Sequence, residues 1–574
     1  MNADVITTIP NFQPRERFFL PISYTLTTWE DLKRFYVDLL ERKIDSLEIL
    51  KQWMKDRSEL ESFVSEDMGW RYIKMTCHTD NQEFKESFQY FVNEIEPNIS
   101  PISNQLDIKF FQSPFSQMLE DEADKILLKK IKTDISIFRD ENIPLFTEMQ
   151  LKQQVYGETC GAMTVEFEGK ELTLQQAGVK LQSTDRNERE KIYYAINNRR
   201  IQDKEKLDQL LSELIKIRHQ VAVNAGFENY RDYMFAAMHR FDYTPQDCFD
   251  FHEAVKESVV PFLNERAALR KKKLGLDSLK PWDLSVDPDS KPPLKPFKNG
   301  EELLLKTIEC FDKMNPFMGL CLREMDKMKR FDLESRKAKA PGGYNYPLDE
   351  SGVPFIFMNA AGTLQDLVTM LHEGGHALHS ILTKDLALNS YRNLTSEIAE
   401  LASMSMELLS IKHWDIFFPN PDELNRAVTS HIEQAVQTLP WVATIDKFQH
   451  WLYTNPNHSI EERNHKWVEI YSEFAIESLD WEGLEHYRRN IWQKQLHIYE
   501  VPFYYIEYGI AQLGAFSVWK NSEENYEKAI NDYVEALKLG YTLPIAKVYE
   551  KASVPFNFKK EHIKNLMTFV KAKF

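Results

Sequence analysis

The chain has 574 residues, 43% hydrophobic and 12% aromatic, enough for a large core and too apolar for wholesale disorder. Seventy-one lysines and arginines face 88 aspartates and glutamates, and the net charge of −17 excludes a general nucleic-acid binder, which needs a basic footprint. No apolar run approaches the roughly 18 residues of a membrane span, the opening MNADVITTIPNFQPRERFFLP lacks the pattern of a secretory signal, and the five cysteines contain no Cys-x-x-Cys pair. Reduced thiols in a cytoplasmic protein, with no membrane or nucleic-acid partner, are the expectation; the composition leaves the oligomeric state open.

With only 19 glycines the chain reads as mostly α. Residues 28–130 carry apolar residues at helical spacing between alternating acidic and basic turns. At 163–174, MTVEFEGKELTL alternates on both sides of Glu168-Gly169-Lys170, which predicts a β-hairpin. Ser212–Ala225 is another amphipathic helix, closed by Gly226. The basic run Arg270–Lys273 reads as a solvated helix end. Five prolines between Pro281 and Gly300 predict an extended loop. Gly342–Gly362 holds two strand-like runs, GGYNYP and VPFIFMN.

The segment that carries chemistry is Thr363–Leu382, TLQDLVTMLHEGGHALHSIL. Thr363 and Asp366 form a capping-box start, and Leu364, Leu367, Val368, Leu371, Leu378, Ile381 and Leu382 make an apolar stripe. Inside this helix lies His372-Glu373-Gly374-Gly375-His376. Residues four apart stack on one face, so both imidazoles can hold one metal ion. Glu373 points about 100° away around the helix, beside the ion, where it can act as a general base on water. Two adjacent glycines in mid-helix disfavour it by roughly 1 kcal/mol each, which demands a close neighbour. A catalytic zinc takes a third protein ligand and keeps one position open. The next helix, Thr395–Ser410, offers Glu397, Glu400 and Glu407; Glu397 and Glu400 share a face, and spacing alone does not choose between them. Further on, HIYEVPFYYIEYGIAQLGA supplies His497, Tyr504, Tyr505 and Tyr508, hydrogen-bond donors suited to a tetrahedral oxyanion. The strand at Gly342, Gly343 and Tyr344 can bind an extended peptide by main-chain pairing.

HEGGHALHS followed by AELASMSMELL resembles the zinc metallopeptidases of the thimet oligopeptidase and oligoendopeptidase F family, and RKKKLGL and PWDL upstream look like its oligoendopeptidase F branch. The resemblance covers at least residues 190–520. It implies that His372, His376 and Glu400 ligate one Zn2+ per chain, with Glu373 as the base, and that Glu397 and His379 lie behind the ligands. It also implies a mostly α, multi-helix ellipsoid with a deep substrate channel and a small β-sheet beside the metal helix. Residues 1–185 would form an N-terminal helical region with the hairpin near 163–174, and 186–574 the catalytic domain, the two enclosing the channel. The expected activity is hydrolysis of internal bonds in short peptides. Two readings compete with it: a zinc carboxypeptidase or dipeptidyl carboxypeptidase of similar shell, and an inactive helical peptide-binding scaffold.

Overall fold

Apolar residues at helical spacing dominate the chain, and the computed structural model, which describes residues 12–340 and 342–574, is 69% helical. The structure is mostly α. The opening stretch read above for a signal falls partly outside the described residues. Among the described residues two large hydrophobic cores form, beside four smaller clusters. Of the two, the smaller joins Leu20 to Ile131 with Leu388, and the main one runs from Ile137 to Val570. These two cores part near residue 135, because the Ile143–Gly161 helix buries Met149 and Tyr156 with the downstream helices.

The hairpin forms where its alternation predicts. Strands β1 (Thr164–Phe167) and β2 (Lys170–Thr173) pair antiparallel, and Glu168 and Gly169 both take positive φ, 51° and 75°. Such a two-residue turn matches the twist of its strands. The second sheet is three-stranded. β5 (Phe355–Ala360) lies between β3 (Phe331–Glu334), which it pairs parallel, and β4 (Tyr344–Tyr346), which it pairs antiparallel. β5 buries Phe355, Ile356, Phe357 and Met358, as a central strand must. β4 is an edge. Its tyrosines lie against the N-terminal Leu47–Cys77 helix, where Tyr344 Oη lies 2.6 Å from Thr76 Oγ1 and its ring stacks on Phe357.

Three helices of the main core build the site: Leu364–Thr383, Ser396–Ser410 and Tyr505–Glu524. The first opens on the expected capping box, Thr363 with Asp366. Its two glycines have the close neighbours that their presence demanded. A Cβ at Gly375 would stand 2.7 Å from Ser403 Cα and 2.9 Å from Ala402 O; one at Gly374 would stand 2.8 Å from Phe311 Cζ. Gly375 thus lets the Ser396–Ser410 backbone cross the metal-site helix in direct contact. A cavity of about 1350 Å³ is lined by Gly342, Asn359 and Leu496 and by Arg200 and Lys494, among others; His372, Glu373, His376 and Glu400 do not line it.

Candidate metal centre

The crossing at Gly375 brings three donors together. The ligand atoms of His372, His376 and Glu400 lie within 4.8 Å of one another. Glu400 Oε2 is 3.3 Å from His372 Nε2 and 3.7 Å from His376 Nε2, and the two imidazoles stand nearly perpendicular. Donors of an ion bound at 2.0–2.2 Å stand about 3.3–3.6 Å apart in a tetrahedron. Ser403 Oγ donates to Glu400 Oε2 at 3.0 Å and Tyr504 Oη to Oε1 at 3.1 Å, fixing the carboxylate. Burial pushes the Glu400 carboxyl up, but His376 and His372 outweigh it and hold it at about 2. Burial pulls His372 down, yet Glu400 and Glu407 drive it well above its ordinary value. The pocket therefore favours positive charge between these groups, and the donor set fits a divalent cation.

Glu407 stands against the second ring nitrogen of His372. Its Oε1 meets His372 Nδ1 at 2.7 Å, the contact that fixes a metal-bound imidazole from behind. Glu397 is not brought to the histidines. It is buried and accepts from Tyr243 Oη at 2.6 Å. Gly375 and Ser403 mark the crossing; His372 lies one turn before it, and Glu407 one turn after it on the other helix. The seven-residue interval from Glu400 to Glu407 is the sequence signal for a shared face. His379 is buried toward the backbone at Leu537, and burial lowers it to about 3; it makes no contact with the other donors' carboxylates.

Glu373 is buried and turned toward β4. Desolvation raises it to about 7, opposed by His372 and by the backbone N–H of Asn345. The outer edge of β4 therefore faces the glutamate. Gly342 has φ of 99°, and a Cβ at Gly343 would touch Phe357 O at 3.4 Å and Thr369 Cγ2 at 3.5 Å. Tyr344 lends the strand its anchor on the N-terminal helix, and its side chain stays away from the cavity.

The C-terminal segment divides its aromatic groups. His497 Nε2 lies 3.4 Å from Tyr508 Oη. Gln495 Nε2 lies 2.6 Å from His497 Nδ1, and an amide donating there leaves the ring proton on Nε2. Burial lowers His497 to about 4, so the ring is neutral near pH 7. Burial and then the Glu400 charge push the Tyr508 hydroxyl well up, keeping it a donor. Tyr505 packs edge-on against His497 with its hydroxyl near Trp441 and Gln495, while Tyr504 serves Glu400. His497 and Tyr508 thus face each other, while Tyr504 bonds to Glu400 and Tyr505 lies against Trp441 and Gln495.

Comparison with known proteins agrees with this architecture. Residues 179–568 match peptidase family M3, and residues 19–138 match the peptidase M3 N-terminal domain. The chain belongs to peptidase family M3, a family whose membership implies a metal. Within it, the chain falls in the oligoendopeptidase F branch. It is 23% identical to oligopeptidase PepF of Bacillus subtilis over 54% of this chain and 46% of that protein, and 24% identical to the plasmid oligoendopeptidase F of Lactococcus lactis over 40% and 36%. These matches span half or less of those relatives' length. Among solved structures, PZ peptidase A with an inhibitor superposes with a TM-score of 0.90 at 27% identity, covering 96% of this chain and 98% of that one. A structure assigned to oligoendopeptidase F superposes at 0.91 with 26% identity, covering 96% and 97%.

Proposed function

We propose that the protein is a zinc-dependent oligoendopeptidase that hydrolyses internal bonds of short peptides in the cytoplasm. The observation that carries this reading is the convergence of His372, His376 and Glu400, with Glu373 buried beside them and facing an unpaired strand edge. When bound, zinc supplies a Lewis acid for the scissile carbonyl and for water. The peptide backbone pairs with the outer edge of β4, from Gly342 to Tyr346, which favours no particular side chains. Glu373 takes the proton of the attacking water at its carboxylate and returns it to the leaving amine. His497 Nε2–H and Tyr508 Oη–H donate to the oxyanion as its charge develops, each suited because it is neutral and fixed in place. The five cysteines are free, which suits a reducing compartment, and no helix among the described residues is long and apolar enough to cross a membrane.

One observation favours the exopeptidase alternative. Arg200 and Lys494 line the cavity, and burial together with the Arg200 charge lowers Lys494 to about 8. Such cations could hold a terminal carboxylate. Internally quenched peptides blocked at both ends decide between the two. Chelator-sensitive cleavage of the blocked peptide is the expected result; cleavage only of peptides with a free C-terminus would replace the endopeptidase reading with the other.

A further inference from the structure

Away from the site, the helices Pro245–Ser258 and Pro421–Thr454 cross inside the main core, and each brings an i, i+4 pair to the crossing. The first contributes Cys248 and His252, the second Asp446 and His450, and none is more than 3% exposed. The Tyr505–Glu524 helix closes on the same place. A Cβ at its Gly509 would stand 2.6 Å from Phe251 Cζ and 2.9 Å from Val442 Cγ1.

The donor atoms of Cys248, Asp446 and His450 lie within 4.8 Å of one another. His252 Nε2 is 2.8 Å from Asp446 Oδ2, and His450 Nε2 is 3.3 Å from the same oxygen. Several polar atoms here have no hydrogen-bond partner among the described residues: Asp446 Oδ1, His252 Nδ1 and His450 Nδ1. Leaving such atoms buried and unpaired costs about 1–3 kcal/mol each. Nothing in the proposed reaction uses these four residues.

We propose that Cys248, Asp446 and His450 bind a second divalent transition-metal ion, zinc by donor type, with His252 holding the Asp446 carboxylate from behind. Thiolate, carboxylate and imidazole are the ligands zinc accepts. The charges balance as well: a dication with one thiolate, one carboxylate and one neutral imidazole is neutral overall, the condition under which charge is tolerated in a core. Binding releases the Cys248 thiol proton to solvent. Phe249 and Phe503 pack on the His450 ring at 4.7 and 5.5 Å and shield the site, where one water would complete the four ligands of a zinc ion. The ion ties together two helices and braces the third, which carries Tyr508. Its role is structural.

The test loads the full-length protein with cobalt after removal of its metal. The catalytic set offers only nitrogen and oxygen donors, so a thiolate-to-cobalt charge-transfer band in the near ultraviolet reports a cysteine outside it, and the band's loss in Cys248→Ser separates Cys248 from the other four free cysteines. The expected result is two cobalt ions per chain with that band present. Cys248→Ser removes the band and one ion while peptide hydrolysis persists; His372→Ala removes the other ion and leaves the band. A single ion per unaltered chain without the band overturns the proposal, and so does a band that survives Cys248→Ser. The unaltered protein decides the matter even if a variant fails to fold.

Discussion

Each group around the metal centre has one neighbour that defines its task, so single substitutions separate the tasks. Glu373 touches no ligand carboxylate, and Glu373→Gln should retain stoichiometric metal while hydrolysis falls by at least the 10²- to 10⁴-fold typical of a lost general base. Metal analysis beside the assay checks this, and loss of the metal would make Glu373 a ligand. Glu400→Ala should lose the metal outright. Glu407→Ala removes the group on His372 Nδ1 and should weaken metal binding about 10- to 100-fold, whereas Glu397→Ala, whose partner is Tyr243, should weaken it far less. Competition with a chromophoric chelator ranks the three. Tyr508→Phe keeps the ring and deletes the donor beside His497; turnover should fall on the order of 10²- to 10³-fold with little change in KM. The same change at Tyr505, which only supports His497, should cost a few-fold at most, and equal losses at both positions would contradict the division made here.

At the scale of elements, the centre depends on two helix backbones in contact. Gly375→Ala forces a Cβ against Ser403 Cα and Ala402 O, neither of which can swing aside. Overpacking of this kind costs about 1–3 kcal/mol, against roughly 1 kcal/mol regained in helix propensity. The larger expected effect is on the metal, because the opened crossing withdraws Glu400 and Glu407 together from His372. Gly374→Ala meets only the end of the Phe311 ring and should spare the metal. Thermal unfolding and metal affinity measured for both variants test the account; unchanged affinity in Gly375→Ala would sink it. The β4 edge works on the same scale. It holds no specificity of its own, and its position comes from Tyr344 bonded to Thr76 on the N-terminal helix.

For the whole molecule, the burial of Glu373 and Glu400 limits what can reach them. An extended residue spans about 3.3 Å, so peptides of roughly 5–20 residues should be cut from either side of the site. A native folded protein such as serum albumin should stay intact under conditions that digest its unfolded fragments. Efficient cleavage of the folded protein, followed by electrophoresis, would refute the enclosed site without touching the metal chemistry. The N-terminal helices meet the catalytic half through β4 and through Leu388, which is buried in the smaller core.

What the sequence determined by itself is local. His372, Glu373 and His376 share one capped helix, and helical geometry alone puts the imidazoles on one face and the glutamate beside them. The hairpin at 163–174 and the glycine pair were legible for the same reason, since alternation and propensity act within a few residues. The choice of Glu400 needed the family resemblance, because spacing alone does not choose between Glu397 and Glu400 on the next helix. Glu407 behind His372, Tyr508 paired with His497 while Tyr504 serves Glu400, the parting of the cores near residue 135 and the Cys248–Asp446–His450 cluster were decided only by the tertiary structure. They depend on where two helices cross and at what rotation. That depends on close packing of side chains far apart in the chain, such as Gly375 against Ser403 and Gly509 against Phe251, and no local pattern encodes it.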